Sequence, residues 1–246
     1  MYICRAMKQP TPSVIYIDDD ILIADKPSGL TVIPERFNTE KPSLQSILEA
    51  KHGKLWVVHR IDRETTGIIC FARTEEAHKN ISRQFESREV KKLYKVIVSG
   101  RMEGDAGEID SPIMERPNKL GTMMVHPKGK ESLTLFEVEE QFRSCALLNV
   151  EIKTGRTHQI RIHFASAGHP LLVDSIYSQN TSFLLSSIKK KYKQSDEEER
   201  PVMARLTLHA FSLTIMHPTT GEVMTFTSPL PHDMDTLLKL LRKYDK

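Results

Sequence analysis

The apolar positions of this chain fall into short extended runs broken by a few amphipathic helices. Residues 14–17 and 21–24 are β-branched runs separated by Asp18, Asp19 and Asp20, the pattern of a hairpin. Residues 68–72, Ile-Ile-Cys-Phe-Ala, follow Gly67 without a polar break, which predicts a buried strand. Residues 93–98 alternate and predict another strand, residues 134–140 and 146–152 a further pair, residues 206–215 a long strand, and residues 223–227 one more. Helical periodicity appears between them. Pro42 and Ser43 open a helix with Leu44, Ile47 and Leu48 on one face, and Gly53 follows its end. Thr74 is placed to cap a second, in which Ala77, Ile81 and Phe85 recur every four residues and Glu75 and Glu76 favour the positive end of the dipole. A third is expected over residues 157–167, ended by Gly168, and a fourth carries Leu237, Leu238 and Leu241.

Composition narrows the class. With 246 residues, 39% hydrophobic and 27% charged, the chain can bury one substantial core or two small ones. No apolar run approaches the roughly 18 residues of a membrane span, and the amino terminus lacks a signal-peptide core, so a cytoplasmic protein is expected. Cys4, Cys70 and Cys145 form no CxxC pair, which argues against a disulfide framework or a structural zinc site. Cys70 and Cys145 read as buried and reduced. A net charge of +3 permits an anionic partner without requiring one. Residues 101–130, rich in Gly, Pro and Met and carrying Arg116, Lys119, His126, Lys128 and Lys130, read as a long hairpin or loop region. Residues 178–200 set a basic block against an acidic one and read as an exposed charged helix and loop.

The chemistry concentrates around HRIDRETTG, residues 59–67. Asp62 is a single carboxylate on the loop feeding the buried strand, flanked by Arg60, Arg63, Thr65 and Thr66; loops on a rigid scaffold often carry catalytic groups. Taken alone, a residue such as Asp62 is more often a turn residue paired with an arginine, and one such as Tyr94 a core aromatic. His158, His163 and His169 invite a metal reading. His158 and His163 are five residues apart, however, which puts them on different helix faces, and no cysteine or acidic cluster accompanies them, so no metal is expected. Arg161 lies three residues after His158, on the same face.

HRIDRETTGIICFA resembles the central motif of the RluA-type RNA pseudouridine synthases, with Thr66 where that family usually has Ser. VIYIDDDILIADKPSGLTVIP resembles its first motif, KTGRTHQIRIHFASAGHP its third, and RLTLHAFSLTIMHPTTGEVMTFTSPLP its carboxyl-terminal segment. The resemblance runs in order from residue 14 to about residue 233. It implies an α+β fold with a mixed, largely antiparallel β-sheet core, flanking helices and loops, and a catalytic cleft across the sheet. Residues 14–246 would be one catalytic domain, after an irregular lead-in of residues 1–13 too short for an additional RNA-binding domain. The implied reaction is isomerisation of uridine in structured RNA, ribosomal or transfer, with the base flipped from its stack. Asp62 would be the nucleophile or charge-stabilising carboxylate, Tyr94 the platform for the base, and Arg161 a two-point partner of Asp62. Lys26, His59, Arg60, Arg63, Thr65, Arg156, His158 and Gln159 are the expected RNA contacts. The reaction is redox-neutral and transfers no external group, so no cofactor is expected; nor is a membrane or a protein partner, and the chain is read as a monomer. Two rivals are an RNA-binding module that has lost catalysis and a phosphoryl-transfer enzyme or nuclease. The first would lack one of Asp62, Tyr94 and Arg161, and the second would need a phosphate loop or a carboxylate cluster for Mg²⁺.

Overall fold

The computed structural model describes residues 11–35, 41–192 and 198–246. Residues 1–10 of the expected lead-in, Cys4 among them, lie outside these, and Ser13 already belongs to the first strand. The described residues form β1 (Ser13–Ile17), β2 (Ile21–Lys26), α1 (Leu44–His52), β3 (Trp56–Val57), β4 (Thr66–Ala72), α2 (Glu75–Glu86), β5 (Lys91–Ser99), β6 (Ala106–Asp110), β7 (Ile113–Glu115), β8 (Met123–Val125), β9 (Leu133–Gln141), β10 (Cys145–Ile152), α3 (Gln159–Ser166), β11 (Leu208–Met216), β12 (Val223–Thr227) and α4 (His232–Tyr244). One open sheet runs β1, β2, β4, β11, β5, β10, β9, β6, with β3 beside β4 and β12 beside β11; β7 and β8 form a separate hairpin. Every pairing is antiparallel except that of β4 with β11. The fold is therefore the expected α+β type with a mixed, mostly antiparallel sheet. No helix among the described residues is long and apolar enough to cross a membrane.

All seven residues of β4 are buried because helices cover both of its faces. Ile68, Cys70 and Ala72 face Ala77 and Ile81 of α2, while Ile69 and Phe71 face Leu44 and Leu48 of α1. A strand covered on both sides has no polar alternate positions, which explains the unbroken apolar run. Both helices start where local chemistry satisfies their free N–H groups: Ser43 Oγ accepts from Ser46 N at 3.2 Å and Thr74 Oγ1 from Ala77 N at 3.1 Å. Further along the sheet, Tyr94, Val96 and Val98 of β5 join Val150 and Ile152 of β10 against Ile160 and Phe164 of α3. The opposite side, Ile97 and Leu147, packs under Leu237, Leu238 and Leu241 of α4. Ile61 touches the clusters under both α1 and α3, so the loop bearing Asp62 lies between them on one face.

Two expectations change. Residues 178–200 are not simply an exposed charged segment: Phe183 and Ile188 are buried against the α4 cluster, and Phe183 N donates to Met203 O at 2.7 Å. The charge run occupies only the second part of the segment, of which residues 193–197 lie outside the described residues, while the apolar stretch before it covers α4. The third helix starts at Gln159 rather than residue 157, because His158 takes a left-handed conformation with φ of 55°.

Candidate active site

The β3–β4 loop is clamped from below by the segment after β2. The Lys26 side chain is fully buried and donates to Pro27 O at 2.9 Å, Leu30 O at 2.8 Å and Arg63 O at 2.8 Å. Three carbonyls match the three hydrogens of an ammonium. Burial pushes Lys26 down to about 7, with Glu64 and Asp62 opposing the shift. Gly29 N donates to Arg63 O at 3.0 Å, Arg63 Nε returns to Gly29 O at 3.0 Å, and Ser28 Oγ donates to Glu64 O at 3.0 Å. Lys26 is therefore a fastening of the loop and not the expected RNA contact. His59 is likewise turned inward: its Nε2 accepts from Cys70 N at 2.9 Å, and its ring stacks on Phe85 with centroids 4.6 Å apart. Burial, aided by Lys92, lowers it to about 3, so it is the neutral acceptor that this bond needs. Thr65 is 1% exposed and does not face solvent, while Thr66 Oγ1 lies 2.9 Å from Nδ1 of buried His209. Arg63 is exposed, but its guanidinium is drawn to Gly29, Glu35 and Glu64.

Asp62, released at the crest of this loop, meets the start of α3. Arg161 Nη1 donates to Asp62 Oδ2 at 3.2 Å, and His158 Nε2 lies 3.7 Å from the same oxygen. The two-point contact expected between Arg161 and Asp62 goes elsewhere. Nε and Nη2 of Arg161 both reach Asp174, to Oδ2 and Oδ1, at 2.8 Å each. Asp174 also accepts from the backbone N of Ile176 at 2.8 Å and of Tyr177 at 3.1 Å. Burial would raise this carboxyl, but the bonds and charge of Arg161 and the two N–H groups hold it below its ordinary value. Arg161 answers in kind: burial works against its charge, and Asp174 and then Asp62 more than offset that. Asp174 and Tyr177 were not singled out in the sequence. The available signal was an acid ending the apolar run Leu-Leu-Val, with a tyrosine three residues on.

Tyr94, on β5, has its ring in the wall of the same cleft, which Ile152, Ile160, Leu208, Asp62, His158 and Arg161 also line. Burial, and secondarily Asp62, push its hydroxyl above the ordinary range, so it remains a neutral phenol. Arg60 and Arg156 stand at the rim, Arg156 with Nε donating to Glu131 O at 3.0 Å. Gln159, expected to touch RNA, is 3% exposed and committed internally: it donates to Leu133 O at 2.9 Å and Thr134 Oγ1 at 3.0 Å, and accepts from Thr154 Oγ1 at 2.7 Å. The histidines of the third motif diverge. His158 turns to Tyr177, His163 to Thr134 and Ser111, and His169 to Ser99.

Thus a carboxylate, an arginine, a histidine and a tyrosine converge on one partly apolar cleft. A family model described as RNA pseudouridylate synthase matches residues 20–166, the span from the β1–β2 turn to the end of α3. The chain belongs to this family. Its relatives include proteins named ribosomal large subunit pseudouridine synthase D. That of Nitrosomonas europaea is 36% identical over 234 residues, covering 93% of this chain and 65% of the relative. Those of Pasteurella multocida and Escherichia coli are 34% and 32% identical, covering 94% and 93% of this chain and 71% and 70% of the relatives. The chain thus spans about two thirds of the length of these proteins. Among solved structures, human RNA pseudouridylate synthase domain containing 4 superposes with a TM-score of 0.73 at 26% identity, covering 93% of this chain and 92% of that one. Human RNA pseudouridylate synthase domain containing 1 gives 0.69 at 24% identity, a likeness of fold.

Proposed function

We propose that this protein isomerises uridine to pseudouridine in RNA of the large ribosomal subunit, with Asp62 as the reacting carboxylate. The observation that carries this reading is the convergence of Asp62, Arg161 and Tyr94 on one cleft in a chain of this family. The substrate class rests on the names of its relatives.

The chemistry fits the cleft. A uridine stacked in RNA has to be extruded, at a cost of a few kcal/mol. The Tyr94 ring and the apolar side chains of Ile152 and Leu208 offer the flipped base a surface; base–aromatic stacking contributes on the order of 1–3 kcal/mol. The N1–C1′ bond then breaks with Asp62 supplying the carboxylate as nucleophile or charge stabiliser. The uracil turns within the cleft, C5 bonds to C1′ and gives up its proton, and N1 ends protonated, so the composition of the nucleotide is unchanged. Arg161 supplies a fixed counter-charge to Asp62 throughout. Arg60 and Arg156 at the rim are placed to meet phosphates.

Asp62→Asn tests the assignment, because Asn keeps the shape and loses the carboxylate. Isomerisation in a single-turnover assay should disappear while RNA affinity and the unfolding midpoint stay close to those of the parent. Turnover near the parental rate would refute the role of Asp62. Mapping pseudouridine in large-subunit ribosomal RNA and in transfer RNA, with and without the protein, decides between the two substrates. Because no electron or group enters or leaves, exhaustive chelation should leave the rate unchanged; a loss restored by a divalent ion would favour metal-dependent chemistry instead.

A further inference from the structure

We propose that Asp174 and Tyr177 are positioning residues that fix Arg161 and the His158 ring beside Asp62, so that Oδ2 of Asp62 is held and Oδ1 is presented to the substrate. This rests on the reading of Asp62 as the reacting carboxylate. Neither residue is part of the three motifs, and both sit on the turn that follows α3.

The first arm is direct. Asp174 has no exposed side-chain surface and binds the Nε–Nη2 edge of Arg161 with two bonds of 2.8 Å. A forked pair of this kind fixes the plane of the guanidinium as well as its position. With that edge taken, Nη1 is the donor that reaches Asp62 Oδ2, at 3.2 Å. The face of the same guanidinium lies over the Tyr177 ring, 5.2 Å from its centroid.

The second arm is a chain of hydrogen bonds. Asp174 Oδ1 accepts from Ile176 N at 2.8 Å and Tyr177 N at 3.1 Å, which sets the turn that aims the Tyr177 side chain at α3. Tyr177 Oη accepts from Met123 N, on the β7–β8 hairpin, at 2.7 Å. A phenol has one hydrogen, and the acceptor within its reach among the described residues is His158 Nδ1, at 2.9 Å. Nδ1 of His158 therefore accepts, and the ring hydrogen is on Nε2, which faces Asp62 Oδ2 at 3.7 Å. Burial lowers His158 from its ordinary value, with Asp62 only partly opposing this, which agrees with a neutral ring of defined tautomer. His158 itself has a left-handed backbone, φ 55°, a conformation that L residues adopt only with strain.

Arg161 Nη1 thus bonds Oδ2, the Nε2 edge of His158 faces the same oxygen, and among the described residues nothing donates to Oδ1. A carboxylate tied at one oxygen and free at the other is oriented for attack or charge stabilisation along a single direction. His158 in this tautomer turns its Nε2–H toward Asp62 from 3.7 Å, beyond a direct hydrogen bond, and has no lone pair at Nε2 with which to accept a proton.

Two readouts test the arrangement. The first needs no substrate: ¹⁵N spectra of the His158 ring should show the Nε2–H tautomer in the parent and a mixed or reversed population in Tyr177→Phe. The second is single-turnover isomerisation at saturating enzyme. Tyr177→Phe should lower the rate about ten-fold, and Asp174→Asn, which sets an amide N–H against the guanidinium, about a hundred-fold, both with RNA affinity nearly unchanged. Should Asp174→Asn fail to fold, Tyr177→Phe alone decides, since it removes one hydroxyl from a partly exposed side chain. An Nδ1–H tautomer in the parent, or a parental saturated rate in Tyr177→Phe, overturns the proposal. If the parent isomerises no uridine, the activity reading fails; the ¹⁵N result still reports separately whether Tyr177 sets the ring.

Discussion

Arg161 uses its Nε–Nη2 edge for Asp174 and keeps Nη1 for Asp62. Lysine keeps the charge but offers no planar edge. Arg161→Lys should therefore lower the saturated single-turnover rate by about ten-fold or more while leaving RNA affinity near that of the parent; weakened affinity with an intact rate would make Arg161 a phosphate contact. Lys26 carries a prediction in pH. Its folded value of about 7 lies below the ordinary 10.5, so between those values the unfolded chain binds the extra proton and stability rises with pH. Relative to Lys26→Met, the parent should gain stability from pH 7 toward pH 10 with a slope approaching about 1.4 kcal/mol per unit. A flat difference would mean that the three carbonyls keep the ammonium charged across the range. These residues also mark what sequence could reach. Asp62 and Arg161 stood out because ordered motifs carry them, and Tyr94 because the same resemblance implies a base platform in its strand. Lys26, His59 and Gln159 read as exposed polar groups, since residue type alone does not reveal that a backbone carbonyl or N–H waits inside. Asp174 ends an apolar run, and its only distinction is the arginine that the fold brings to it.

At the scale of elements, Gly67 couples the catalytic loop to the sheet. Its φ is 111°, and a Cβ there would lie 2.1 Å from Ala210 O, at the point where β4 meets β11. No L side chain fits without parting the strands, so Gly67→Ala should destabilise the protein by at least about 3 kcal/mol in a denaturant titration. A smaller loss would show that β4 and β11 can separate at low cost. The strands and helices themselves were largely legible, because they carry their own period and the first two helices their own cap, as Ser43 and Thr74 show. The neighbours of β11 were not. Its alternation announces a strand, yet nothing local indicates that its first part joins β4 and β5 while its second joins β5 and β12. The burial of Phe183 and Ile188 was hidden in the same way, by a partner helix some distance along the chain.

Over the whole molecule, the cations near the cleft are spread over several elements: exposed Arg60 on the β3–β4 loop, exposed Arg88 and half-buried Lys92 around the start of β5, and half-buried Arg156 before α3. If RNA lies across them, Arg156→Ala should reduce the slope of log affinity against log salt concentration by a little under one unit, in filter-binding titrations. An unchanged slope would mean that Arg156 serves only its bond to Glu131. The sheet that carries these groups has its central gap, between β4 and β5, filled by β11, a strand from near the carboxyl end. During synthesis, β4 and β5 leave the ribosome long before the strand that joins them. Until it arrives, two apolar edges stay open, the condition under which intermediates persist and chains pair with one another. Non-local closure of this kind slows folding, and the Asp62 loop and the Tyr94 strand come into register only once β11 has joined β4 to β5. A chain stopped short of β11 is therefore expected to be a collapsed, self-associating species with no cleft, whatever motifs it has already acquired.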